Sequence, residues 1–96
     1  MTLEELRRTK REQILQLAAS YGARNVRLFG SVARGDNSPS SDIDFLVDLD
    51  PDGSLMDLGG LLMDLQEMLH ARVDVATERI LRPKVRERAV RDAVPL

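Results

Sequence analysis

Apolar side chains recur at Leu3, Leu6, Ile14, Leu17, Ala18 and Tyr21, at a spacing near the helical period of about 3.6 residues. Arg7, Arg8, Lys10, Arg11 and Glu12 fill the opposite side. Thr2 followed by Glu5 reads as a capping box, and Gly22 is placed to end the helix in a left-handed conformation. The pattern predicts one amphipathic helix over residues 3–21. Two strands follow: Asn25 to Phe29, stopped by Gly30, and Ile43 to Leu49, an Ile-Asp-Phe-Leu-Val-Asp-Leu run with β-formers between its acids. The link between them holds Gly35, Asn37, Ser38, Pro39, Ser40 and Ser41, so it is mostly loop, and Ser31 to Arg34 has room for one or two helical turns.

Pro51-Asp52-Gly53-Ser54 is a turn, and Ser54 can cap a helix from Leu55 to about Leu69. Its stripe is Leu58, Leu61, Leu62, Leu65 and Leu69, weakened by Gly59-Gly60 at up to ~1 kcal/mol for each glycine. Arg72 to Thr77 reads as a third strand, and Pro83 to Ala93 as a basic helix opened by its proline. The order helix, strand, strand, helix, strand, helix describes a small α/β (α+β) domain, a mixed sheet with flanking helices. Three strands are few for two helices with apolar stripes, so a partner is expected to complete the burial.

Composition narrows this picture. Ninety-six residues allow a single domain over 1–96 with a thin core. The absence of cysteine removes disulfides and thiolate metal sites and points to a reducing, cytoplasmic setting. No apolar run is long enough to span a membrane, and the first residues lack the layout of a secretory signal. The net charge of −2 hides a sharp division: residues 1–34 carry seven basic and three acidic side chains, 35–71 nine acids and no Lys or Arg, and 72–96 seven basic and four acidic. The acidic block fits either a solvated face or a divalent-cation site. Direct nucleic-acid binding is not expected, because one Tyr and two Phe offer no stacking platform and the basic residues lie on amphipathic helices.

Three pieces can carry chemistry. Phe29-Gly30-Ser31 is a strand running into a glycine and a helix start, where backbone N–H groups and a hydroxyl can meet phosphate oxygens. Most such pairs are ordinary turns. Asp42 and Asp44, two apart on a strand, point to one face and can converge on a divalent ion; the alternative is a polar strand edge, which Phe45, Leu46 and Val47 argue against. Asp74, between Val73 and Val75, looks like a buried carboxylate whose ordinary explanation is a salt bridge with an arginine. It gains meaning if the second and third strands are neighbours, which the intervening helix permits as a strand–helix–strand crossover. Together these pieces describe a site for metal-assisted phosphoryl-type transfer, and oxygen-only ligands favour Mg²⁺ or Mn²⁺ over zinc.

The stretches Gly30-Ser31-Val32-Ala33-Arg34-Gly35-Asp36 and Ser41-Asp42-Ile43-Asp44-Phe45-Leu46-Val47 resemble the core motif of the DNA polymerase β-type nucleotidyltransferase superfamily. More narrowly, the chain resembles the minimal nucleotidyltransferases, the MntA-like antitoxins encoded beside HEPN-domain ribonuclease toxins. The resemblance covers nearly the whole chain and implies the polymerase-β-type palm fold. It further implies that Gly30 and Ser31 hold the triphosphate of ATP, that Asp42 and Asp44 bind two Mg²⁺ ions, and that Asp74 completes the metal site that activates the acceptor hydroxyl. The implied reaction is transfer of AMP from ATP to a tyrosine of the cognate toxin within a hetero-oligomer, with release of pyrophosphate. Arg34 has two open readings, a contact to phosphates or to Asp36. His70, at a helix end, reads as structural. Two other functions compete: an antitoxin that acts by covering its toxin, and a nucleotidyltransferase for a small molecule whose acceptor pocket a partner would supply.

Overall fold

A computed structural model describes all 96 residues. The predicted first helix is interrupted. It consists of α1 (Leu3–Glu5), a wider π-helical turn (Leu6–Lys10) and α2 (Arg11–Ser20). The reason lies in the apolar spacing. Eight residues separate Leu6 from Ile14, so at about 100° per residue an unbroken α-helix would leave them about 80° apart. Absorbing one extra residue in a wider turn brings them to within about 20°. Both are fully buried. Thr2 caps the start, its Oγ1 accepting from the Glu5 N–H at 3.1 Å, and Gly22 at φ 73° ends the segment as expected.

Four strands form the sheet, in the order β3-β2-β1-β4. β1 (Ala23–Phe29) pairs antiparallel with β2 (Ile43–Leu49), and β3 (Val73–Ala76) pairs parallel with β2 through the crossover helix α4 (Leu55–Leu69). The fourth strand corrects the three-strand reading. β4 (Val94–Pro95) pairs with Arg27 and Leu28 of β1 on the far edge, and the Leu96 N–H donates to the Val26 carbonyl at 3.1 Å. Arg7 Nη2 reaches the Pro95 carbonyl at 2.5 Å, so the π-helical turn and the chain end are tied together.

The two faces of the sheet differ. Ile43, Phe45 and Val47 of β2 join Leu6, Ile14, Leu28, Leu58, Leu61 and Leu65 in the main core beneath α2 and α4. By the two-residue alternation of a strand, Asp44 and Leu46 point the other way. On that side Phe29, Leu46, Ala76 and Ala89 form a smaller cluster covered by α5 (Pro83–Asp92). So β2 is buried on both sides along most of its length, yet its acidic residues are on the lightly covered face.

The two adjacent glycines of α4 have different roles. A Cβ at Gly59 meets nothing within 4 Å, whereas one at Gly60 would sit 2.5 Å from Tyr21 Cε1. Tyr21 cannot swing aside freely, because its hydroxyl donates to Asp64 Oδ2 at 2.5 Å. Gly59→Ala is therefore expected to stabilise the protein by up to ~1 kcal/mol through helix propensity. Gly60→Ala is expected to destabilise it by about 1–3 kcal/mol through overpacking. Urea unfolding of the pair checks the opposite signs.

Candidate active site

The register between β2 and β3 sets the site. Asp44 lies directly opposite Asp74, and Ile43 opposite Val73. One step earlier, the Ile43 N–H donates to the Arg72 carbonyl at 3.0 Å, which places Asp42 beside Arg72. Alternation then puts Asp42, Asp44, Arg72 and Asp74 on one face, at the α5 side of the sheet. The two strands are neighbours, as the crossover length permits, and the three carboxylates share a patch.

They do not share an environment. Asp44 is half-buried, with Phe29 opposite it on β1 and Asp74 opposite it on β3. Its carboxyl is pushed up from 3.8 to about 6, chiefly by burial and then by the charges of Asp74 and Asp42, with Arg34 opposing. Asp74 is exposed, not buried as its valine neighbours imply: Val73 and Val75 take the core face, and Asp74 takes the other. Asp42 is exposed too, and its Oδ1 lies 3.1 Å from Arg72 Nε. No three acidic or histidine side chains enclose a common point in the geometry of a bound metal. Two of the carboxylates are in register, and the third is drawn to an arginine.

The donor chemistry nonetheless fits a hard divalent cation. All three groups are carboxylates at adjacent strand starts, and burial together with the charges of Asp74 and Asp42 disfavours the ionised form of Asp44. A divalent ion would offset those charges.

Gly30 begins α3 (Gly30–Arg34) directly after Phe29. Its φ is +71°, and a Cβ built there would run into Asp44 Oδ2. Only glycine lets the turn pass this close to the carboxylate. The helix is a single turn, with Val32 buried beneath it and Gly35 at φ 79° closing it through N–H contacts to Ser31 and Val32 carbonyls. Ser31, in its first turn, is partly exposed beside the Asp44 end of β2. Of the two readings open for Arg34, the structure provides Asp36, with Nε at 3.1 Å from Oδ2, and adds Asp92 of α5, with Nη1 at 2.8 Å from Oδ2. His70 takes the left-handed position at φ 51° that ends α4, a structural place as read from the sequence.

Sequence reasoning missed Arg72 and Asp92. Arg72 was placed at the start of a strand without a partner, since its pairing with Asp42 depends on strand register. A groove of about 530 Å³ lies elsewhere, lined by Leu49, Leu55, Leu58 and Ile80 near the other end of β2. It contains none of the three carboxylates, so the candidate site lies on an open face outside this groove.

No helix is long and apolar enough to cross a membrane. Comparison with known proteins agrees with the geometry. The protein adenylyltransferase MntA of Thermococcus cleftensis is 31% identical over 94 residues, covering 98% of this chain and 95% of that protein. A solved structure described provisionally as a minimal nucleotidyltransferase is 46% identical with a TM-score of 0.84, covering 100% of this chain and 97% of that one. A toxin–antitoxin structure with AMP-PNP shares the fold at a TM-score of 0.76 and 22% identity, covering 90% of this chain and 71% of that one. The model of the nucleotidyltransferase domain family matches residues 8–96, and the chain belongs to that family.

Proposed function

We propose that this protein is an antitoxin that transfers AMP from ATP to a tyrosine of a cognate HEPN-type ribonuclease toxin and thereby silences it. The observation that carries the reading is the in-register Asp44–Asp74 pair with Asp42 on the same face and Gly30 packed against Asp44. The name of the Thermococcus relative supports adenylyl transfer to protein, and the toxin–antitoxin structure with AMP-PNP supports both the partner and the nucleotide.

In this reading Asp42, Asp44 and Asp74 hold Mg²⁺, which when bound neutralises phosphate charge. The rest falls to the chain itself. Gly30 keeps the turn flush with Asp44, so that the first N–H groups of α3 and the Ser31 hydroxyl can bind the triphosphate beside the carboxylates. Arg34 braces this turn against α5 through Asp92, its charge met by Asp36 and Asp92. The acceptor hydroxyl approaches from the exposed Asp74 side. Its oxygen bonds to the α-phosphorus as the bond to the α,β-bridging oxygen breaks, its proton passes to water, and pyrophosphate departs with the bridging oxygen. Positioning and charge neutralisation supply most of the acceleration.

Incubation of the protein with its toxin, ATP and Mg²⁺ is expected to add mass to the toxin in steps of AMP and release pyrophosphate. Unmodified toxin, with both proteins folded, would refute catalysis. A second reading, neutralisation by coverage, draws on α4, where Leu55, Met56 and Met63 are 70, 86 and 63% exposed. The Asp42→Asn, Asp44→Asn double variant separates the two: full neutralisation by that variant would favour coverage.

A further inference from the structure

We propose that Arg72 is a positioning residue that serves as an internal counter-cation for Asp42 and competes with a divalent cation for it. The inference rests on the metal-binding reading of the site and adds a residue that controls it.

Four side chains occupy the shared patch at the starts of β2 and β3: Asp42 and Arg72 at one level, Asp44 and Asp74 at the next. Three are acids. Arg72 is the cation that engages one of them, with Nε 3.1 Å from Asp42 Oδ1. Arg34, the other nearby guanidinium, is already held by Asp36 and Asp92. The Arg72 side chain is 80% exposed, so it covers no core, and its removal should leave the fold intact. Ordinary surface ion pairs between flexible side chains contribute little. Here the backbone bond from the Ile43 N–H to the Arg72 carbonyl holds the two strand starts in register, which keeps the two residues side by side while their side chains stay exposed.

The consequence is competition. The guanidinium engages Asp42 Oδ1, and a cation approaching on that side must share this oxygen with Arg72. A bare divalent ion that binds through Oδ1 displaces Arg72, and one that binds through the open Oδ2 still meets its positive charge. An ion that arrives with a polyphosphate brings the replacement anion for Arg72 as well, because the freed guanidinium stands beside the same patch. Arg72 thus disfavours the bare ion and favours the ion together with the nucleotide.

Titration of the full-length protein with Mn²⁺, followed by the electron paramagnetic resonance of free Mn²⁺ without nucleotide, tests this directly. Arg72→Gln is expected to bind Mn²⁺ about two- to fivefold more tightly than the wild type. Loss of a nearby positive charge could have the same effect through space, so Arg72→Gln is also placed in an Asp42→Asn background. There the gain should vanish; a gain of equal size overturns the role of Asp42 as the shared partner. In arginine Nε–H spectra with Mg²⁺ and no nucleotide, the Arg72 signal should move towards its position in Asp42→Asn. An unmoved signal at saturating Mg²⁺, or equal Mn²⁺ binding by wild type and Arg72→Gln, overturns the proposal while leaving the metal site intact. No Mn²⁺ binding by any form, with or without ATP, overturns the metal reading itself and this inference with it.

Discussion

Asp44→Asn is expected to abolish nucleotidyl transfer and, in the metal-free protein, to raise stability above about pH 6. The two effects have one cause. Asp44 is half-buried between Phe29 and Asp74, and its carboxyl titrates near 6, not 3.8. The folded chain therefore holds the proton more tightly than the unfolded chain does. The favourable contribution of this group is complete below about pH 4, falls as the pH rises through 4 to 6, and is absent above. At pH 8 the ionised carboxylate opposes folding, and the amide removes that opposition. After allowance for the water that screens a half-exposed group, the gain is about 1–2 kcal/mol, or a rise in Tm of several degrees for a domain of this size.

Thermal unfolding in chelator at pH 4 and pH 8 checks the sign: the two proteins should melt together at the lower pH and separate at the higher. Saturating Mg²⁺ should narrow the gap, since a cation relieves in the wild type what the substitution relieves in the variant. Activity moves oppositely. Loss of one carboxylate from a site that concentrates charge on phosphate oxygens removes several kcal/mol of transition-state stabilisation, at least about 10³-fold in rate. A variant that is both more stable and inactive would show that the acid is retained for chemistry at the expense of the fold. A less stable variant at pH 8 would refute the opposition of burial and neighbouring charge to ionisation of Asp44.

Much of this arrangement was legible along the chain, and what was not depended on register. The β2 and α4 boundaries follow from local pattern: alternating Ile43, Phe45 and Val47 for one, Leu58, Leu61, Leu65 and Leu69 for the other. The adjacency of β2 and β3 follows from the length of the crossover. The π-helical turn was present as the eight-residue step from Leu6 to Ile14, but a smooth helical period over the other positions concealed it. β4 was invisible, because two residues that include Pro95 carry no strand signal; only pairing with Arg27 and Leu28 makes them a strand. Arg72 and Asp92 escaped for a related reason. Arg72 meets Asp42 through strand pairing, and Asp92 meets Arg34 across 58 residues of chain, relations that no local pattern encodes.

Gly30→Ala is expected to reduce transfer by at least about 10²-fold, the scale that misplacement by about 1 Å produces in a positioned reaction, with only modest loss of folded protein. Glycine meets two demands at this position. Its φ of +71° lies where side chains are disfavoured, and a Cβ there would run into Asp44 Oδ2. The first demand alone costs roughly 1 kcal/mol for alanine and would act on stability, not chemistry. The second displaces either the turn or the carboxylate, and each belongs to the proposed site. Gly35 provides the control. It has nearly the same φ, 79°, but nothing lies within 4 Å of a Cβ built there. Gly35→Ala should thus lower the unfolding midpoint by the φ cost alone, less than Gly30→Ala does, while retaining most of the AMP transfer. If both variants lose activity in proportion to their loss of stability, the close approach of Gly30 to Asp44 is structural. If Gly30→Ala alone loses activity, that contact is what holds the turn proposed to bind phosphate against the strand proposed to bind metal.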